Sequence, residues 1–299
     1  MNDVRILRAP TIFSQFHVAG YRVAMVTAKD KLRAVAFSPE RSRATAKSEH
    51  GLDTASGWLG MPVPEVYLAE LFEFVLAVGV KLLREFRPGI MYLSTTDHIQ
   101  HKFAPEQQCA LEFPAMFDKY LAQLDDLGAT NHGMKPKHNA EGKPNVIYAQ
   151  DLMDERLGKD QARVILPITD SYVVHHGALG AFATVYLPED ADKTEIMARL
   201  DAIDDLVLVI DKEEVINRFE LPADRIGDIV MISGENMTIG TSEHRHNLAT
   251  LKESLRGHGG LTEQEVPFIV NRVGDLGNTP DPRNFDAFSM QLELRRYRR

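Results

Sequence analysis

An α/β fold, a core sheet flanked by helices with a small inserted α+β cap, is the architecture the sequence predicts, and three observations predict it. Short apolar runs follow turn residues: Arg22 to Thr27 after Gly20, and Ile90 to Ser94 after Pro88-Gly89. Continuous runs of this kind suit strands covered on both faces, as in a parallel sheet. Stretches of helical periodicity separate and follow them. Finally, residues 181–187, 192–203, 206–210 and 212–219 alternate strand and helix patterns and read as a compact inserted cap. The chain accordingly divides into a core over 1–144, a cap over 145–225 and a returning core over 226–299, where Ile226 to Ile232 resumes the strand style of the main sheet.

Taken in order, residues 39–61 carry Ser, Arg, Lys and Gly with little periodicity and predict a long surface excursion. Pro64 then opens a helix whose apolar positions Val66, Leu68, Leu71, Phe72, Val75, Leu76, Val80 and Leu83 form a broad stripe, and Pro88-Gly89 ends it. Residues 111–127 form a second amphipathic helix, with Phe113, Met116, Phe117, Tyr120, Leu121, Leu124 and Leu127 on its apolar face. Leu127-Gly-Ala-Thr130 offers no apolar run, so no core strand is expected before Asn131. A last strand is expected at Phe268 to Val270.

With 299 residues the chain has room for one large domain or two smaller ones. No apolar run is long enough to cross a bilayer and no basic-then-apolar leader follows Met1, which points to the cytoplasm. The lone Cys109 excludes an internal disulfide, fits a reducing compartment, and reads as an ordinary thiol rather than a nucleophile. A net charge of −9 opposes nucleic acid as a partner, since phosphate neutralisation needs a basic surface. The basic end, Arg295 to Arg299, reads as a frayed tail, and homo-oligomerisation is left open.

Chemistry concentrates where metal-ligand residue types cluster: Asp97 to His101, Asn131-His132-Gly133, and His244 to His258. Divalent metals take imidazole and carboxylate ligands, and a catalytic site gathers them from distant segments while keeping one position open. Asp97 follows the strand 90–94, where active-site carboxylates of α/β sheets sit, and one helical turn would bring His101 to the same ion. A helix N-terminus capped by Asp97, with an unrelated histidine, competes evenly with that reading. Lys29 and Lys31 follow the first strand and are placed to clamp an anion, with a solvated loop as the ordinary alternative. Gly133 lets the backbone pass close to a ligand beside His132, with Asn131 a weaker ligand than Asp. His175 and His176 beside Gly177 fit a turn better than a ligand pair. In Glu243, His244, His246 and Arg256-Gly-His-Gly-Gly260, a histidine between glycines has no packing reason to be there, which favours metal at His258.

Five blocks, in one order along the chain, carry a family resemblance: Thr27-Ala-Lys-Asp-Lys-Leu32, Ser94-Thr-Thr-Asp-His-Ile-Gln-His-Lys102, Asn131-His-Gly-Met134, Tyr172-Val-Val-His-His-Gly-Ala-Leu179 and His258-Gly-Gly-Leu-Thr-Glu-Gln-Glu-Val-Pro267. Together, from about Arg8 to Arg272, they resemble the phosphonoacetate hydrolases of the alkaline phosphatase superfamily. The resemblance implies an alkaline-phosphatase-like core with a cap, and a pair of zinc ions that split the carbon–phosphorus bond of a small phosphonate, phosphonoacetate, into acetate and phosphate. It implies Asp97, His101 and His258 as ligands of the first metal, His132 and the position of Asn131 at the second, and Lys29 and Lys31 as receivers of the substrate carboxylate.

The chain departs from the family at two places. An Asp-His pair is expected where Asn131-His132 stands, and Met1 to Pro10 resembles an interior stretch of the family. The family's nucleophilic Thr and an earlier Asp are therefore expected to be missing, so that no catalytic nucleophile is assigned. Two metals roughly 4 Å apart act on the attacking and leaving oxygens together, so a weak second site halves that clamp. The expectation is one retained zinc site with impaired turnover, or, in other classes, a non-catalytic mono-zinc or anion-binding remnant or a decayed gene product.

Overall fold

The computed structural model describes residues 8–28, 52–62, 64, 70–124, 127–129, 133–167, 179–251, 254–270 and 281–290. They fall into two units, Met1–Asp126 and Leu127–Arg299. The fold class is α/β, as the sequence predicts.

In the first unit, helix α1 (Ile12–Val18) starts at Thr11, whose hydroxyl accepts the Ser14 N–H at 3.2 Å. Gly20, at φ +85°, turns the chain into β1 (Val23–Thr27). The predicted surface excursion contains a helix, α2 (Leu52–Leu59). The mixed composition of Leu-Asp-Thr-Ala-Ser-Gly-Trp-Leu hides it, because two turns are too few for a clear periodicity. Helix α3 (Glu70–Glu85) follows, and positions Val66 and Leu68 of the predicted stripe lie outside the described residues.

β2 (Ile90–Ser94) pairs in parallel with β1, Val23 opposite Ile90 through Thr27 opposite Ser94. Parallel pairing requires a crossover, and α3 is its helix, packed on both strands. Gly79 of α3 faces Leu93 of β2 so closely that a Cβ there would collide with the Leu93 side chain. After the short α4 (His98–Lys102) comes α5 (Gln108–Leu124), which ends before Leu127. Leu76 and Val80 of α3 pack against Tyr120 and Leu124 of α5, and Phe72 meets Phe113 edge-on at 5.0 Å.

The second unit opens with β3 (Leu127–Ala129), antiparallel to the strand Phe268–Val270. A strand therefore does precede Asn131, against the sequence expectation; three residues are too short to show a hydrophobic pattern, and their partner lies far along the chain. β4 (Lys135–Pro136), β5 (Val146–Tyr148) and α6 (Ala149–Leu157) follow. Then come β6 (Arg163–Ile165), β7 (Phe182–Tyr186), α7 (Lys193–Asp201), β8 (Leu206–Asp211) and α8 (Lys212–Phe219), close to the predicted strand and helix run. Asp192 and Asp211 cap α7 and α8 by accepting the Glu195 and Glu214 N–H groups at 3.0 Å each.

β9 (Ile229–Ser233) corrects the expectation that the main sheet resumes there: it lies between β7 and β8 in the four-stranded order β6-β7-β9-β8, antiparallel to both neighbours. All five of its residues are buried, Ile229 and Met231 in one apolar cluster, Val230 and Ile232 in another. Coverage on both faces makes an antiparallel strand as continuously apolar as a parallel one, so the pattern cannot distinguish them. The unit closes with β10 (Thr238–Gly240), parallel to β5; β11 (Arg256–Gly257), antiparallel to β4; and β12 (Phe268–Val270), the partner of β3.

Candidate functional site

β2 delivers Asp97 to the carboxyl end of the parallel pair, where α4 begins. The Asp97 side chain makes no capping hydrogen bond; its carbonyl accepts the His101 N–H at 3.0 Å, and its Oδ2 lies 3.5 Å from His101 Nε2. The single turn of α4 thus brings the two donors to one place, half-buried. Beside them, Thr96 Oγ1 is buried without a hydrogen-bond partner among the described residues. A carboxylate oxygen next to an imidazole nitrogen is a donor pair that fits a divalent ion. Within either unit, no three His, Cys, Asp or Glu side chains converge among the described residues.

In the second unit, β11 leads into His258, whose carbonyl accepts the Ala181 N–H at 2.8 Å. The glycines around it have packing reasons of their own. A Cβ at Gly257 would stand 3.3 Å from the Lys137 stem, one at Gly260 would stand 2.8 Å from Glu263 Oε2, and Gly259 holds φ +95°. Packing therefore explains the glycines themselves.

The feature that sequence reading missed is the pair beneath this loop. Lys137 is fully buried and Glu263 is 2 % exposed, with Lys137 Nζ 3.0 Å from Glu263 Oε1. Lys137 Nζ also donates to the Glu235 carbonyl at 2.9 Å, and Glu263 Oε2 accepts the Gly260 N–H at 2.8 Å. Alone, a lysine or glutamate in a polar stretch reads as solvated. The available signal was Gly260-Leu-Thr-Glu263, the spacing at which an N3 glutamate reaches back to the N-cap N–H.

His246 is 7 % exposed and serves the fold: its Nε2 accepts the Thr241 N–H at 3.0 Å, and its ring stacks on Tyr148 at 6.3 Å. Burial, then the carboxylates of Glu243 and Asp151, push the Tyr148 hydroxyl above the usual phenol range. His244 lies in a 3₁₀ turn, Glu243–Arg245. Cys109, near the start of α5, is half-buried. Lys29, Lys31, Asn131, His132, His175 and His176 lie outside the described residues.

Residues 7–261 match the type I phosphodiesterase / nucleotide pyrophosphatase family. Two solved structures of phosphonoacetate hydrolase from Sinorhizobium meliloti 1021, one in complex with phosphonoformate and one with phosphonoacetate, are each 63% identical to this chain, cover 96% of it and 74% of their own length, and superpose with a TM-score of 0.88. The chain belongs to the phosphonoacetate hydrolase family. At fold level the likeness extends to murine ectonucleotide pyrophosphatase / phosphodiesterase 5, at 17% identity over 83% of this chain and 59% of that one, with a TM-score of 0.50. The family membership makes the α/β arrangement an alkaline-phosphatase-like one. No described helix is long and apolar enough to cross a membrane.

Proposed function

We propose that this protein hydrolyses phosphonoacetate: water adds across the carbon–phosphorus bond, phosphorus leaves as phosphate, and the methylene carbon takes a proton to give acetate. The observation that carries the reading is 63% identity over 96% of the chain to hydrolases whose structures hold phosphonoacetate and phosphonoformate. Asp97, His101 and His258 would hold one zinc ion, and His132 with Asn131 a second; the Asp97–His101 donor pair supports the first assignment. When bound, zinc supplies Lewis acidity toward the phosphonate oxygens. Lys29 and Lys31 would receive the carboxylate of the substrate and stabilise the charge that develops on the leaving acetate. A second carboxylate ligand is absent at Asn131, which predicts weaker occupancy of the second site than of the first.

In the same reading the chain is a core over 1–144, an inserted cap that begins at 145 and a returning core that ends at 299, the boundary between them moved from 225 to beyond β9 because that strand pairs in the cap sheet. The protein works on a small phosphonate in the cytoplasm, a placement supported by its single cysteine, and nucleic acid is disfavoured by its charge of −9. Phosphate release from phosphonoacetate by the zinc-supplemented protein tests the proposal. Release that disappears in Asp97→Ala is expected. Zinc binding without any release would favour a non-catalytic anion-binding protein instead.

A further inference from the structure

The buried Lys137–Glu263 pair is placed where an ion pair is least expected for stability. Removing two charges from water costs more than an apolar pair of similar volume, so the pair adds little that the fold needs. What it adds is direction, because Glu263 Oε2 and Lys137 Nζ each hold a backbone segment while Glu263 Oε1 joins them. Glu263 Oε2 accepts from Gly260 N at 2.8 Å, two residues after His258. The Glu263 carbonyl accepts the N–H of Gly133, the residue after His132, at 2.8 Å. The Thr262 hydroxyl donates to Glu263 Oε1 at 2.7 Å, and Lys137 ties that oxygen to the Glu235 carbonyl. The Lys137 N–H meets the Leu255 carbonyl at 2.8 Å, at the foot of β11. Gly133 packs tightly on Glu263, where a Cβ would stand 3.3 Å from the backbone.

We propose that Glu263 and Lys137 are positioning residues: their buried ion pair sets the loop that carries His258 and fixes the Glu263 backbone, whose carbonyl receives the N–H of Gly133. The inference rests on the reading of His258 as a metal ligand. Neither residue is assigned to the substrate or to the metal. Their contribution is to keep the His258 loop from sampling arrangements in which its imidazole cannot reach the metal.

Zinc affinity tests this, measured on the folded full chain by competition with a chromophoric chelator, well below the melting temperature. Lys137→Met/Glu263→Leu leaves no charge unpaired and frees the loop; its zinc affinity is expected to fall at least tenfold, with kcat for phosphonoacetate falling more than KM changes. Glu263→Gln keeps the volume and an acceptor for Gly260 but loses the ionic tie, and a loss of about threefold is expected. Unchanged affinity in both overturns the proposal, and if the double variant does not fold, unchanged affinity in Glu263→Gln alone overturns it. His258→Ala separates the two levels. If it leaves zinc binding intact, the ligand assignment fails, whereas its loss alongside intact binding in the Glu263 variants defeats only the positioning role.

Discussion

The glycines flanking His258 and the histidine itself answer to different demands. Gly257 and Gly260 are required by what lies beneath them, the Lys137 stem and the Glu263 carboxylate, while His258 adds an imidazole to a loop already shaped by packing. His246 shows the opposite outcome, a buried histidine whose ring is used by Thr241 and Tyr148. Residue type alone separates neither case, since both stand in the same polar, histidine-rich stretch. At this scale the sharpest expectation concerns Lys29 and Lys31. Loss of a charge-assisted contact is worth roughly 1.5 to 3 kcal/mol, or about tenfold and more in rate. Lys29→Ala or Lys31→Ala should therefore lower kcat/KM for phosphonoacetate by at least that factor, and should affect a phosphonate without a carboxylate far less. Equal losses on both substrates would mean that the lysines only support their loop.

Among the elements, β9 has the most to lose, because both of its faces and both of its edges are occupied. The approach to it runs through Gly227, whose N–H donates to Thr184 Oγ1 at 2.8 Å and whose missing side chain leaves space for the Val185 carbonyl. Gly227→Ala pushes backbone against backbone and should cost about 1 to 3 kcal/mol by overpacking. Gly57→Ala in α2, with nothing within 4 Å of the new methyl, should instead gain about 0.5 to 1 kcal/mol. Urea midpoints of the two variants moving in the same direction would contradict this. The contact between α3 and α5 carries a pH signature. Hydrogen bonds from Lys119, at 2.9 Å, and Tyr120, at 2.8 Å, hold the Glu73 carboxyl below its ordinary value of 4.5. A depressed carboxyl contributes stability above its unfolded pKa and loses it as pH falls through the folded one. Glu73→Gln should therefore flatten the loss of stability on acidification below about pH 4.5, and an unaltered acid limb in a pH series of melts would show the contact to be inert.

The sequence is legible at this scale wherever an element carries its own pattern. β1, β2, α3, α5 and the alternation from β7 to α8 each hold enough apolar residues at one period to announce themselves. β3 and α2 are too short to do so. The pairing of β9 escapes because continuous burial looks the same in parallel and antiparallel sheets. Of the candidate site, the Asp97–His101 turn was readable from its i, i+4 spacing. The Lys137–Glu263 pair was not, since its partners stand 126 positions apart and neither is apolar.

For the whole molecule, the proposed ligands Asp97, His101 and His258 come from segments more than 150 positions apart in a chain of 299. An ion held by such segments binds the native chain and not the unfolded one, because the unfolded chain does not assemble the donors. Binding of that kind stabilises by RT ln(1 + [L]/Kd), about 2.7 kcal/mol at free zinc a hundredfold above Kd. For a protein of this size that corresponds to a rise in Tm of roughly 4 °C. Chelation should remove the increment and added zinc should restore it. Asp97→Ala and His258→Ala should each abolish it. Lys29→Ala, which acts on the substrate and not on the metal, should keep it in full. A zinc-dependent Tm that survives Asp97→Ala and His258→Ala would place the ion elsewhere, whereas its loss in both, with Lys29→Ala intact, would bear out the proposed ligands.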